Sequence, residues 1–426
     1  MAAALLALPA HAQSLKELYE AARGFDATFL AAQAQFEADR ARAEQARAGV
    51  LPSVELNGGA NWTNTDSNIP SQDRTTNSQN IGVSASHPLY RPGNRIALEQ
   101  ALKSVEIAQA RLESAEQDLI VRTAQAYFDV LGAEDNLTFV KAQKAAVSEQ
   151  LAAAQRNFEV GTTTITDTRE AEARFDLVRA QEIAAENDLR VKKLALDQLV
   201  GRSNTQPWRL AEGRALPAVV PDDADAWVSR AENVHPQLRQ ARRALDIAQL
   251  EVRRAETAKG PTLDAVAQYQ FARGPNPTGT YARDYNATVG VRFNLPLYTG
   301  GAVQNRIAEA LALQDRARAD LDAAERTIAQ TTRAAYFGVV SGMGQVKALE
   351  AAELSSQSAL EANQLGYQVG VRINIDVLNA QSQLFQTKAD LANARYSVLV
   401  NGLRLKQASG VLSAEDLDPI NTLLQP

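Results

Sequence analysis

Two short stretches of this chain hold acidic, basic, aromatic and hydroxyl side chains close enough in sequence to act together. The first runs Phe158-Glu159-Val160-Gly161-Thr162-Thr163-Thr164-Ile165-Thr166-Asp167, and the second Tyr367-Gln368-Val369-Gly370-Val371-Arg372-Ile373-Asn374-Ile375-Asp376. The chemistry open to them is that of noncovalent links. An Asp at a helix start accepts from free backbone N–H groups, and Asp167 with Glu170 three residues on reads as a capping box worth on the order of 1 kcal/mol. Asp376 reads as a simple N-cap, and Arg372 is either a solvated turn charge or, beside a carboxylate, the donor of a charge-assisted bond. No catalytic set accompanies them. The 426 residues include no Cys, and the three His (His11, His87 and His235) are scattered. Thiolate metal sites and disulfides are therefore excluded, and no phosphate loop or paired nucleophile and base is present. The expectation is a protein that is not an enzyme and needs no cofactor.

Each stretch also says what must position it. An aromatic-x-Val-Gly ends an Ala-rich helical run, and Gly just past a helix is the usual left-handed stop. Each is therefore a hairpin tip between two helices. The tips are 209 residues apart, and the same offset relates Pro52 to Pro261, Tyr127-Phe128 to Tyr336-Phe337, and Gly201 to Gly410. A register held over most of a chain indicates two copies of one structural unit. The expected organisation is a first repeat over 13–209, with a β-hairpin at about 52–90 and a tip at 158–167. A connection follows at 210–222, then a second repeat over 223–410, with a hairpin at about 261–297 and a tip at 367–376. A tail covers 411–426.

Helical runs are expected over Ser14 to Val50, Pro92 to about Phe158, Asp167 to Leu199, Ala224 to Lys259, Ala302 to Tyr367 and Asp376 to Ala408. Along the second of these, Val105, Ala108, Leu112, Ala115, Leu119, Arg122, Ala126, Val130, Ala133, Leu137, Val140, Lys144, Val147, Leu151, Ala154 and Phe158 recur at steps of three and four. That is a heptad seam with one stutter, hence a long supercoiled helix of about 100 Å. Gly338, Gly342 and Gly344 mark a bend or a close contact in its counterpart.

Between helices the period changes to two. Val54, Leu56, Gly58, Ala60 and Trp62 alternate with polar or small residues, as do Ile81, Val83 and Ala85. In the second half, Leu263, Ala265, Ala267, Tyr269 and Phe271, then Tyr285, Ala287, Val289, Val291 and Phe293, do the same. Polar stretches at Asn64 to Asn80 and about Arg273 to Asp284 read as loops. Strands of about ten residues with one apolar face suit a membrane barrel, and equally a soluble hairpin lying on a core; four polar faces and long loops favour the barrel. Open strand edges cannot sit in lipid. Two chains would give eight strands whose interior side chains fill, whereas three give twelve and leave a lumen. Met1 to Ala12 end in the cleavage pattern Ala10-His11-Ala12, expected of an exported chain. The net charge of −6 and pI near 5.4 argue against nucleic acid.

The run from Tyr367 to Leu378 (YQVGVRINIDVL), Leu391 to Tyr396 (LANARY), Pro296 to Gly301 (PLYTGG), Ala126-Tyr127-Phe128 and Phe158-Glu159-Val160-Gly161 together resemble the TolC family of outer-membrane efflux and secretion ducts. The similarity covers nearly the whole chain after residue 12. It implies a mostly α fold with a small β part: a homotrimer whose twelve-stranded barrel sits in outer-membrane lipid and continues as a periplasmic α-barrel with an equatorial collar, where the tail would lie. It also implies docking to a periplasmic adaptor and an inner-membrane transporter, in an efflux pump or a type I secretion system. The tip residues Val160, Gly161, Thr162, Val369, Gly370 and Val371 would meet the adaptor. Thr166, Asp167, Tyr367, Arg372 and Asp376 match the polar links that close the periplasmic gate. One position departs: Asn379 stands where the family's best-known form has a second acidic ring. A non-porous coiled-coil protein bridging two envelope layers is the rival reading.

Overall fold

The computed structural model describes residues 12–66, 68, 74–211, 213–275 and 280–425. Of the stretch read as a signal (Met1 to Ala12), residues 1–11 lie outside the described residues, as do 67, 69–73 and 276–279 within the two expected loops. In chain order the elements are α1 (Leu15–Phe25), α2 (Ala27–Ala48), β1 (Ser53–Thr65), β2 (Arg74–Tyr90), α3 (Pro92–Glu159), α4 (Ile165–Val200), β3 (Arg209–Leu210), α5 (Ala224–Val234), α6 (Pro236–Thr257), β4 (Thr262–Pro275) and β5 (Tyr281–Asn294). Then come α7 (Ala302–Gln368), α8 (Asn374–Ala408), a 3-10 turn (Ala414–Leu417), α9 (Asp418–Asn421) and β6 (Leu424–Gln425). The fold is mostly helical with few strands. No described helix is long and apolar enough to cross a membrane.

The chain divides into two units. One comprises the described residues up to Gln33, Leu112–Leu238 and Glu325 onward; the other comprises Ala34–Arg111 and Arg239–Ala324. In the first, the core gathers where α1, α3, α4, α8 and the C-terminal tail meet, around Leu15, Leu18, Leu119, Tyr127, Phe128, Leu131, Leu196, Leu403 and Leu417. Full burial of side chains this large contributes about 1.5–3 kcal/mol each. Tyr127 keeps its hydroxyl satisfied by donating to the Trp208 carbonyl at 2.9 Å. The tail is tied to the connection by a two-residue antiparallel pairing of Arg209 with Gln425 and Leu210 with Leu424.

The expected seam is largely inside. Ala108, Leu119, Val130, Ala133, Val147 and Ala154 are buried, and Leu112, Ala115, Ala126, Val140 and Leu151 pack against core clusters. Two expected single helices are in fact broken, at Asp26 between α1 and α2 and at His235 between α5 and α6. The breaks are 209 residues apart and have physical causes. Pro236 cannot continue α5, because it lacks the N–H the ladder needs. Asp26 instead turns its carboxylate onto the Phe29 N–H at 2.8 Å and onto Arg122 at 2.9 and 3.0 Å, competing with the helical ladder. Each break seats a glycine that ends a returning helix. A side chain on Gly201 would run into the Phe25 ring, and one on Gly410 into the His235 backbone. Of the three glycines of α7, Gly342 makes the expected close contact, facing Val398 of α8, while Gly338 and Gly344 face open space and the helix is continuous.

The second unit is organised by one antiparallel sheet in the order β1-β2-β4-β5. Its register lines up like with like. Leu56, Val83, Tyr269 and Ala287 form one row across all four strands, and Gly58, Ile81, Phe271 and Tyr285 the next. The opposite face carries rows such as Glu55, Ser84, Gln268 and Thr288. The apolar face is uncovered, with Leu56 72 % and Val289 87 % exposed. The strands reach further into the expected loops than the sequence pattern indicates. β1 ends at Thr65 and β2 begins at Arg74, while β4 and β5 extend to Pro275 and back to Tyr281. Thr, Asn and Gln carry no apolar alternation, yet their backbones pair as well as any, and Thr75 donates its hydroxyl to Asn64 at 3.0 Å across the ladder. At the sheet's base, Arg91 makes a two-pronged ion pair with the buried Asp264, at 2.6 and 2.7 Å.

Candidate functional site: two helical hairpin tips

Both tips end their first helix in the same way. Gly161 and Gly370 have φ of 78° and 80°, a left-handed conformation that side chains resist. At the first tip the Gly161 N–H donates to the Phe158 carbonyl at 3.0 Å and Thr162 N–H to Asn157 at 2.8 Å. At the second, Gly370 N–H donates to Tyr367 at 3.1 Å and Val371 N–H to Gly366 at 2.9 Å. These are the paired bonds of a Schellman stop, in which two otherwise orphaned carbonyls are satisfied. Around them Val160, Val369 and Val371 are exposed apolar side chains, and Thr162 also faces outward.

The start of each returning helix corrects the sequence reading. Helix α4 begins at Ile165 and not at Asp167, and its N-cap is Thr164. The capping box is Thr164 with Asp167, not Asp167 with Glu170. The Asp167 N–H donates to Thr164 Oγ1 at 3.3 Å, and the Thr164 N–H donates to Asp167 Oδ2 at 3.1 Å. A threonine three residues ahead of an acid satisfies two orphan donors at once, which an Asp N-cap alone would not. Helix α8 begins at Asn374, and its N-cap is Ile373, whose side chain caps nothing. Asp376 is therefore at the third helical position rather than the cap, and its N–H donates to the Ile373 carbonyl at 3.1 Å.

The predicted link residues are not joined across the two tips within one chain. Arg372 lies 3.6 Å from Asp376 on its own tip, an exposed pair worth about 0–1 kcal/mol. Asp167 is occupied by Thr164, and Thr166 is exposed. Tyr367 is half-buried and packs against the cluster formed by Leu360, Val377 and Leu384. Beneath the second tip, Asn374 is only 2 % exposed, yet neither its Nδ2 nor its Oδ1 has a partner among the described residues; Gln381, one heptad on, leaves Oε1 unpartnered among them as well.

The sequence reading missed the residue that meets Asn379. Arg174 of α4 donates from Nη2 to Asn379 Oδ1 at 2.7 Å, and Gln143 of α3 donates to Ser382 Oγ at 3.2 Å. No local pattern marks Arg174, since its partner is 205 residues away. These bonds, with Leu378 packed among Val147, Ala154, Ala171 and Val178, make α8 the element both hairpins share. Among the described residues no cluster of His, Asp or Glu could hold a metal ion.

Comparison with known proteins places this geometry. A family pattern described as "Outer membrane efflux protein" matches residues 18–202 and again 227–411. Outer membrane protein TolC of Vibrio cholerae is 33 % identical over 417 residues, 97 % of this chain and 94 % of that protein. The alkaline protease secretion protein AprF of Pseudomonas aeruginosa is 30 % identical over 97 % of this chain and 88 % of its own length. Among solved structures, the CmeC outer membrane channel of Campylobacter jejuni superposes with a TM-score of 0.80 at 18 % identity, covering 96 % of this chain and 90 % of that one. The outer membrane protein VceC of Vibrio cholerae gives 0.79 at 19 % identity, covering 93 % and 96 %. The chain belongs to the outer membrane efflux protein family, a family of channels, and it is an outer-membrane exit duct whose helical part lies in the periplasm.

Proposed function

We propose that three copies of this chain close a twelve-stranded barrel in the outer membrane and continue it as a helical tube built from two repeats per chain. The observation that carries the reading is the sheet. Four strands share one uncovered apolar face, and β1 and β5 each leave one edge unpaired within the chain. In hydrocarbon every backbone donor and acceptor must be paired, so those edges require neighbouring copies. Three copies give a barrel with a lumen, where two would give one filled by its own side chains. A non-porous envelope bridge would leave the apolar rows and both edges uncovered. The repeat is supported by the tips, the helix breaks and the two matches of the family pattern, all offset by 209 residues.

The tube carries cargo passively from an inner-membrane transporter, joined through a periplasmic adaptor that meets Val160, Gly161, Thr162, Val369, Gly370 and Val371. Those residues form the exposed turns at the ends of the long hairpins. Thr166, Asp167, Tyr367, Arg372 and Asp376 form the gate between neighbouring hairpins, with Asp376 as the acidic ring and Asn379 one turn deeper. Support comes from the second tip, whose polar groups find few partners inside the chain. Outer-membrane fractionation with crosslinking tests the assembly: a heat-modifiable trimer is expected, with the β1–β2 and β4–β5 connections accessible on intact cells. Cysteine at Thr162 or Val371 should crosslink to the adaptor. A soluble monomer would end this reading.

A further inference from the structure

The register of the sheet places two cations where hydrocarbon-facing side chains would otherwise be apolar. Arg273 of β4 and Arg283 of β5 are direct cross-strand partners. They share the face of Tyr269, Phe271 and Tyr285, since side chains two apart on a strand lie on one face. Both are exposed, and neither guanidinium has an ion-pair or hydrogen-bond partner among the described residues. Ala60 and Gln79 complete their row and offer no carboxylate. Like charges directly opposite on a sheet repel, so the pair is unfavourable unless an anion lies between them.

The depth of this row identifies the anion. From Arg273 to Leu263, at the other end of the same face, is ten residues of β4. At about 3.4 Å per residue and a tilt near 40°, that is about 26 Å along the membrane normal, close to the apolar height of an outer-membrane barrel. The arginines therefore sit one hydrophobic thickness from the periplasmic rim. Aromatic rings bracket them, Phe271 and Tyr285 one row inward, Trp62 and Tyr281 one row outward. Tyr281 is held there by its hydroxyl, which accepts from the Asn77 N–H at 2.9 Å. Aromatic side chains with a polar end settle at headgroup level. Guanidinium groups at that level, facing lipid, match the geometry of a phosphate.

We infer that Arg273 and Arg283 form a binding site for a phosphate group of an outer-leaflet lipid, one site per chain on the barrel's outer wall. The inference rests on the proposed trimeric barrel, which sets which face meets lipid and which end points outward. To test it, the detergent-purified trimer is titrated by native mass spectrometry with a phosphorylated outer-leaflet glycolipid, its dephosphorylated form and inorganic phosphate. Saturable binding of about three phosphorylated lipids per trimer is expected, weakened about tenfold in Arg273→Gln with Arg283→Gln and largely retained in the double Lys variant. The dephosphorylated lipid should bind weakly to wild type and variant alike, and millimolar inorganic phosphate should not displace the lipid. Equal binding by wild type and the Gln variant would overturn the proposal, as would displacement by free phosphate, which would make this an ion site and not a lipid site. Heat-modifiable migration is read on every sample: a protein that never forms the trimer counts against the barrel itself, whereas a normal trimer indifferent to lipid phosphate counts against this site alone.

Discussion

The two tips share a backbone and differ in what their side chains are free to do. At the first, Thr164 and Asp167 satisfy each other, and α3 is tied to α4 by ion pairs of Lys141 with Glu186, Lys144 with Glu182, Lys192 with Asp129 and Lys193 with Glu134. At the second, Ile373 caps nothing, Asp376 and Arg372 are only loosely paired, Asn374 is buried without a partner, and α7 and α8 are linked by Arg395 with Glu350 and, at 3.9 Å, Lys388 with Glu353. The helix breaks differ in the same sense. Asp26 is locked by Arg122, which holds its carboxyl below the usual range, whereas His235 accepts at Nδ1 from the Gln237 N–H, and burial lowers its pKa. The difference is one of degree: the first tip leaves Thr163 Oγ1 without a partner among the described residues, and the second leaves both side-chain polar atoms of Asn374 and the Gln381 Oε1.

The largest effect should come from cutting the second tip's links. Arg372→Ser with Tyr367→Phe removes links worth up to about 1 kcal/mol per copy, repeated three times in a trimer. If those links exist only in the closed state, the open population rises by on the order of a hundredfold. Higher single-channel conductance is the expected readout; the matching change at the first tip, Asp167→Asn, should raise it clearly less, because that carboxylate is already engaged by Thr164. If both variants conduct alike, the comparison between the tips is broken.

Acid should separate the two helix breaks. The folded-state pKa of Asp26 lies below 3.8, so its contribution is complete above that pH and is lost as the pH falls through the folded value. His235 also has a lowered folded pKa, but its reference is 6.5, so its stabilising neutral form is lost as the pH falls from about 6.5 towards that lower value. Amide exchange in the intact trimer should therefore rise first around 231–238 and only at much lower pH around 22–29. Asp26→Asn, which weakens a charged hydrogen-bonded pair, should cost about 2 kcal/mol and erase the acid step of the first break.

Moving the capping box between tips sharpens the contrast by a smaller amount. Thr164→Ala should destabilise the α4 start by about 1 kcal/mol, and Ile373→Thr, three residues ahead of Asp376, should stabilise the α8 start by a similar amount. The second change also withdraws Asp376 from Arg372, so it should fray less in exchange measurements while conducting slightly more.

The smallest effect is at the missing acidic ring. Asn379→Asp would place a carboxylate against Arg174, which already donates to that position, so cation block should strengthen only modestly. With Arg174→Gln added, the ring is unneutralised and block by multivalent cations from the periplasmic side should be clearly stronger. Equal block in both would remove Arg174 from the account.

Much of this molecule was readable from the chain alone. The glycine stops, the heptad seam of α3 and the alternation of the four strands are local patterns, and local patterns follow from backbone sterics and the burial of every third or second residue. The relationship to the outer membrane efflux protein family was legible for the same reason, since the tip motifs are contiguous. What the tertiary structure decided was partnership. Whether Asp167 caps with Glu170 or with Thr164 depends on where the helix begins, which shifts by two residues at little cost in pattern. That Arg122 pairs with Asp26 at the helix break, that Arg174 meets Asn379, and that Arg91 meets Asp264 each requires residues brought together from distant parts of the chain. Pairing energies of this kind leave no periodicity in sequence, because a charge needs only one neighbour, and the fold alone determines which neighbour that is.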